Sequence, residues 1–358
     1  MATAHGTTPL VIAHRGASGY RPEHTAPAYT LAVALGADAV EPDLVATRDG
    51  VLVVRHEHEI SGTTDVASRP EFAARRTTRE VDGARVAGWF TEDFTWAELA
   101  TLRARERMPR TRPQNATFDG RFPVLRFRDL LALLDRECER TGREVALVAE
   151  LKHASHFAGM GLPLDELVAA ELAGAGWADG RRAIVAEAFE LDVLDRLARR
   201  GVPGRRVFLL EASGAPADLV RALGSDAPAF DRFATPDGLA GLAGRVDGVS
   251  VDTGRLLGRD RDRAPDAARG ASAPLVAPLA GAALVEAAHE HGLDVFTWTL
   301  RPENRFLRQG FRRGTATSAW GDWLGAFARI IETGVDGVFA DHPDLALDAR
   351  NTADTTRR

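Results

Sequence analysis

The chain has 358 residues, 45% of them hydrophobic and 27% charged, with a formal net charge of −6. These proportions suit a large globular enzyme domain and exclude the basic footprint of a nucleic-acid or anionic-membrane binder. The single cysteine, Cys138, excludes an internal disulfide framework; it lies in an amphipathic run and reads as a packing residue.

Residues 1–9 carry neither a basic cluster nor an apolar run, so no secretory signal is read there. The expectation is a cytoplasmic protein as given, or a secreted one had a leader been removed. No uncharged apolar stretch approaches the ~20 residues that span a bilayer, so no membrane insertion is expected. Apolar, β-branched runs then predict strands over 10–14, 39–45, 145–151, 183–188, 207–211, 246–252, 294–300 and 337–340. The second continues through an Asp49-Gly50 turn into 51–55. Helical periodicity is read over 25–35, 127–141, 163–175, 190–200, 215–223, 278–291, 320–333 and 343–350. Glycines such as Gly36, Gly292 and Gly334 close several of these helices.

Eight strands alternating with helices predict an α/β fold, a (β/α)8 TIM barrel, as one catalytic domain over 1–350. Residues 57–122 break the rhythm and hold their own aromatics, Trp89, Phe90, Phe94 and Trp96, with a short helix near 96–105. They are expected to form a small insertion capping one barrel mouth after the second strand. Residues 255–273 read as a mobile loop and 351–358 as a polar, frayed tail.

In a barrel the C-terminal strand ends face the active site. Here they carry His14 and Arg15, Glu41, Asp43 and His56, Glu150 and Lys152, then Glu187, Glu211, Asp252, Trp298, Arg301 and Asp341. Any single carboxylate in this ring could be a plain salt-bridge partner. Glu41, Asp43 and Glu150 together would repel one another unless a divalent cation sat among them. Oxygen-only ligation favours Mg2+ or Ca2+, and no cysteine or close histidine pair marks a zinc site. His14 and His56 fit a general acid and general base on two sides of a phosphorus centre. Arg15 offers planar donors to phosphoryl oxygens, Lys152 a point charge, and Trp298 a further substrate contact. Gly16 reads as a turn glycine or a point of close ligand approach. His58, His153, His156, His289 and His291 read as surface or loop residues without a role.

The strings Ile12-Ala13-His14-Arg15-Gly16-Ala17-Ser18-Gly19, Pro22-Glu23-His24-Thr25, Glu41-Pro42-Asp43-Leu44 and Asp49–Glu57 resemble glycerophosphodiester phosphodiesterases. So do Thr64-Asp65-Val66, Ala149-Glu150-Leu151-Lys152, Phe296-Thr297-Trp298-Thr299-Leu300-Arg301 and the run Gly334-Val335-Asp336-Gly337 continuing to Pro343. The resemblance runs from first strand to last. It implies that Glu41, Asp43 and Glu150 bind the metal, that His14 and His56 are the catalytic pair, and that Arg15 and Lys152 contact phosphate. It further implies attack by the glycerol 2-hydroxyl, a cyclic phosphate, and release of glycerol 3-phosphate and an alcohol. The expected partner is thus a small glycerophosphodiester; oligomeric state is left open.

Departures from that pattern are His24 where asparagine is frequent, Arg55 where an aliphatic residue is usual, Arg126, and the extra charges Glu187 and Glu211. The last two bear on the alcohol headgroup, including a cationic one such as choline. Rival readings are a barrel phosphodiesterase acting on lysophospholipid or polymeric glycerophosphate, a non-catalytic phosphate-binding barrel, and a structural barrel. The first would expose an apolar or basic loop, for which the 57–122 aromatics are the candidate; the second has no need of His14 or His56.

Overall fold

A computed structural model describes residues 8–258 and 277–357. Its strands are β1 (Leu10–His14), β2 (Ala39–Glu41), β3 (Asp43–Ala46), β4 (Leu52–Val54), β5 (Thr77–Val81) and β6 (Ala84–Gly88). They continue as β7 (Ala146–Leu151), β8 (Ile184–Ala188), β9 (Arg205–Leu210), β10 (Gly248–Asp252), β11 (Asp294–Leu300) and β12 (Gly337–Ala340). Hydrogen bonding runs β2-β1-β12-β11-β10-β9-β8-β7 and returns from β7 to β2. The sheet therefore closes on itself as an eight-stranded parallel barrel, the (β/α)8 fold.

The expected second strand is split. Pro42 lacks an N–H and cannot donate to the ladder, so β2 and β3 pair with β7 on either side of it. Ala39 and Val40 face Ala146 and Leu147; Asp43 and Leu44 face Glu150 and Leu151. The hairpin after β3 forms as read, with Val53 opposite Val45 on antiparallel β4 and Gly50 in the turn at φ +75°.

Contacts divide the chain into two compact units: 13–184 with 196–204, and 1–12 with 185–195 and 205–358. In the first, helix Phe127–Thr141 buries Leu130, Leu131, Leu134 and Cys138 along one face. Gly142, at φ +65°, caps its end by donating its N–H to the Cys138 carbonyl, so Cys138 is the packing residue expected. The insertion contributes the β5–β6 hairpin, turned at Asp82-Gly83, and a helix, Trp96–Leu99, shorter than expected. Its aromatics form its own core. Phe90 and Phe94 are buried, and Phe94 meets Phe72 edge-on at 5.1 Å. Phe90 and Phe94 are thus interior to the insertion, while Trp89 and Trp96 are half-buried.

In the second unit, β9 to β12 are backed by helices Gly281–Glu290, Trp323–Ile331 and Pro343–Arg357. The last continues through the stretch expected to be a frayed tail. Most of the loop expected over 255–273 lies outside the described residues; its first residues close helix Thr253–Leu257. No helix among the described residues is long and apolar enough to cross a membrane.

Candidate active site

All of the expected site residues except Trp298 fall in the first unit. β1 ends at His14, and the chain turns there through left-handed backbone, Arg15 at φ +60° and Gly16 at φ +79°. A Cβ on Gly16 would stand 2.7 Å from the Ala28 carbonyl carbon. Gly16 thus lets the turn lie against helix Ala26–Ala34, which is a packing role and not a ligand approach. The turn aims the Arg15 N–H at Glu41 Oε2, 2.7 Å away.

Glu41, Asp43 and Glu150 are all buried. The parallel register sets Asp43 directly across from Glu150, and ligand oxygens of Glu41 and Glu150 lie within 4.8 Å of each other. Asp43 Oδ2 takes a hydrogen bond from His24 Nε2 at 2.8 Å and faces Arg15 Nε at 3.4 Å. Burial raises the Asp43 pKa, but His56, Lys152, His24 and Arg15 outweigh it and hold the carboxyl well below its ordinary range. Glu150 moves the other way. Burial and the Asp43 charge raise its pKa despite Lys152 Nζ at 2.7 Å.

His24 is held in left-handed backbone at φ +57°, a conformation histidine and asparagine enter more readily than most residues. Burial keeps its pKa below the usual value. Its Nε2 donates to Asp43 and its Nδ1 lies 2.8 Å from the Tyr29 hydroxyl, which donates to the Glu41 carbonyl at 3.2 Å.

Lys152, the only lysine in the sequence, reaches inward from the end of β7. Its ammonium lies 2.7 Å from Glu150 Oε1, 3.8 Å from Asp43 Oδ1 and 3.3 Å from His56 Nε2. Burial works against its charge, yet Glu150 and Asp43 raise its pKa. His56 Nδ1 stands 2.5 Å from Glu57 Oε1. Burial, then Arg15 and Lys152, push the His56 pKa down to about 3. Nδ1 thus faces the Glu57 carboxylate and Nε2 the Lys152 ammonium.

Glu57 is itself gripped by the insertion. Arg107 places Nη1 2.8 Å from Glu57 Oε1 and Nη2 2.6 Å from Oε2. The same guanidinium holds Glu23 through Nε and Nη2, each at 2.7 Å. Glu23 in turn bonds Arg15 Nη1 at 3.1 Å. One chain of charge-assisted bonds thus runs Arg15–Glu23–Arg107–Glu57–His56. Glu23 and Glu57 stood beside singled-out residues in the sequence, but Arg107 carried no local signal.

Other expectations resolve differently. Trp298, in the second unit, packs edge-on against Phe189 at 5.9 Å. Arg301 pairs with Asp341 at 2.7 Å, and Asp252 Oδ1 caps helix Thr253–Leu257 through the Gly254 N–H. The Arg301–Asp341 pair and the Asp252 cap follow the plain structural reading. His58, His153 and His156 were read as surface or loop residues without a role. They instead cluster, with the His58 ring 5.0 Å from His153 and 4.8 Å from His156.

Asp43 Oδ1 is buried and accepts no hydrogen bond from the described residues, while Glu150 Oε1 is met by the Lys152 ammonium at 2.7 Å. Oxygens of this kind, with the Asp43 charge raising the cost of ionising Glu150, fit a hard divalent cation. The donor set contains only oxygen.

Residues 14–345 match the model of the glycerophosphoryl diester phosphodiesterase family. A glycerophosphodiester phosphodiesterase of Arabidopsis thaliana is 30% identical over 347 residues, covering 93% of this chain and 83% of the relative. One from Haemophilus influenzae is 34% identical over 151 residues, covering 40% of this chain and 39% of the relative. Two crystal structures share the fold. The Silicibacter pomeroyi putative glycerophosphoryl diester phosphodiesterase has a TM-score of 0.62 at 22% identity, covering 96% of this chain and 94% of its own. The Oleispira antarctica phosphodiesterase, in complex with sn-glycerol-3-phosphate, has a TM-score of 0.57 at 17% identity, covering 97% and 99%. The chain belongs to the glycerophosphoryl diester phosphodiesterase family.

Proposed function

We propose that this enzyme hydrolyses glycerophosphodiesters to glycerol 3-phosphate and an alcohol through His14/His56 proton transfer, with a cyclic phosphate between two steps. The observation that carries this reading is the placement of His56, oriented by Glu57, beside Lys152 and the Asp43–Glu150 pair. A neutral imidazole accepts a proton at its unprotonated nitrogen; an imidazolium does not.

Glu41, Asp43 and Glu150 would hold one divalent cation, Ca2+ or Mg2+. Bound there, it supplies Lewis-acid polarisation of a phosphoryl oxygen. Lys152 and Arg15 hold the phosphate by charge, and Glu23 fixes the angle of the Arg15 guanidinium.

In the first step the 2-hydroxyl oxygen of glycerol bonds to phosphorus and its proton passes to His56 Nε2. The bond from phosphorus to the alcohol oxygen breaks, and His14 supplies the proton that oxygen needs. In the second step water bonds to phosphorus and gives its proton to the now neutral His14. The 2-oxygen leaves with the proton held on His56, and both histidines return to their starting states.

Phosphorus NMR of glycerophosphocholine turnover tests this reading. The expected result is glycerol 3-phosphate as product, preceded by a transient cyclic signal. Choline phosphate with free glycerol would place cleavage on the wrong side of phosphorus and contradict the scheme.

A further inference from the structure

His58 opens the insertion, and Glu92 lies in its short turn Thr91–Asp93. The two segments are tied by the Thr91 N–H donating to the His58 carbonyl at 2.8 Å. His156 comes from a different element, helix Ala154–Gly159, which begins two residues after Lys152. The three side chains converge. His58 Nδ1 is 2.9 Å from Glu92 Oε1, and His156 Nε2 is 2.9 Å from the same oxygen. One ligand atom from each lies within 4.8 Å of the other two. His58 and Glu92 side chains are 3% and 0% exposed, and His156 is 13% exposed.

We infer that His58, Glu92 and His156 form a second metal site, selective for a transition ion of the Zn2+ kind, that fastens the insertion to the segment following Lys152. Two imidazoles and one carboxylate are a borderline-soft donor set, unlike the all-oxygen group of Glu41, Asp43 and Glu150. Bonds of about 2.0–2.1 Å at tetrahedral angles set ligand atoms roughly 3.3 Å apart, so the present 2.9 Å contacts need only a few tenths of an ångström of opening. The fourth position is left for water.

The surroundings brace these ligands. Thr91 Oγ1 lies 3.3 Å from Glu92 Oε2, fixing the carboxylate from behind. His153, beside the His58 ring, is pinned by Asp82 Oδ2 at 2.6 Å from the tip of the β5–β6 hairpin. Both Asp82 and His153 are held in left-handed backbone, at φ +48° and +49°. Arg79 also reaches Glu92 Oε1, at 3.4 Å, but its other amine is taken by Asp93. That leaves the two nearer contacts of the oxygen to the histidines.

Chelator-stripped full-length protein titrated with Co2+ in excess Mg2+ and Ca2+ tests the site, because the hard ions occupy the carboxylate group. The expected result is one equivalent of Co2+ with the intense visible absorption of tetrahedral coordination, displaced by Zn2+. The absorption should persist in Glu41→Gln and vanish in His156→Ala. Zn2+ should raise the thermal midpoint of the unmodified chain by several degrees and leave that of His156→Ala unchanged. No tetrahedral absorption in the unmodified chain would overturn the proposal and leave a hydrogen-bonded His–Glu–His cluster. An absorption that survives His156→Ala and disappears in Glu41→Gln would also overturn it. His156, the most exposed of the three, is the substitution the fold tolerates best, and circular dichroism confirms that the variant is folded.

Discussion

Arg107 Nη2 stands 2.6 Å from Glu57 Oε2 and 2.7 Å from Glu23 Oε1, so one side chain of the insertion orients partners of both Arg15 and His56. The fork geometry matters more than the charge, because a lysine cannot span two carboxylates in one plane. Arg107→Lys is predicted to lower kcat by about 10-fold, the scale seen when an outer partner of a working group is lost. Steady-state kinetics with phosphodiester substrate checks this; an unchanged kcat would mean that Glu57 orients His56 unaided.

Lys152 stands out in a chain whose other basic side chains are all arginine or histidine. Its compact ammonium sits among Glu150, Asp43 and His56, where a planar guanidinium would be oversized. Lys152→Arg should therefore behave as a disruptive change, raising KM and cutting kcat/KM by at least about 10-fold. In Lys152→Met, removal of a positive neighbour should let the His56 pKa rise from about 3 toward its ordinary 6.5. Ring-nitrogen NMR titration reads that shift directly, and a His56 pKa that stays low would leave burial and Arg15 as its sole causes.

The His14 and His56 assignments predict losses of about 10²-fold or more in kcat for alanine at either position, with smaller changes in KM. Glu41→Gln and Glu150→Gln should each abolish most activity while leaving the metal-free thermal transition near that of the unmodified enzyme. Full activity in chelator would refute the metal dependence, whatever the histidine variants do.

Stability of the insertion should depend on pH through Glu98. Arg75 bonds its carboxylate at both oxygens, and the Thr95 backbone and hydroxyl add to this, lowering its pKa to about 2. A depressed carboxyl contributes stability above its unfolded value near 4.5, and that contribution fades as pH falls toward 2. Because Glu98 is partly exposed, solvent screening limits the effect to about 1 kcal/mol. Glu98→Gln should lower the thermal midpoint at pH 7, and the gap between variant and parent should close between pH 4.5 and 2. A gap independent of pH would assign the loss to the helix cap alone.

The strands were legible because barrel strands are buried on both faces and read as continuous apolar runs; β1, β11 and β12 begin and end where expected. Residues at strand exits, from His14 to Lys152, were legible for the same reason, since the fold dictates which way those ends face. Pro42 was visible, but not that β2 and β3 would both pair with β7 around it. What no local pattern carried was pairing at long range. Arg107 lies 84 residues from Glu23 and 50 from Glu57. His58, Glu92 and His156 are likewise scattered, and each alone looks like an ordinary polar residue. Only the fold of the insertion brings them together.

The most direct test of the mechanism compares glycerophosphocholine with its 2-deoxy analogue under the same metal conditions. If Arg15 and Lys152 hold the phosphate as proposed, the Kd of the analogue should change little. Without the neighbouring hydroxyl the reaction forfeits an effective-molarity advantage that reaches ~7 kcal/mol or more in well-oriented systems. The account predicts that kcat for the analogue falls by several orders of magnitude while binding persists. Equal rates for the two diesters would show that water attacks phosphorus directly and would contradict it.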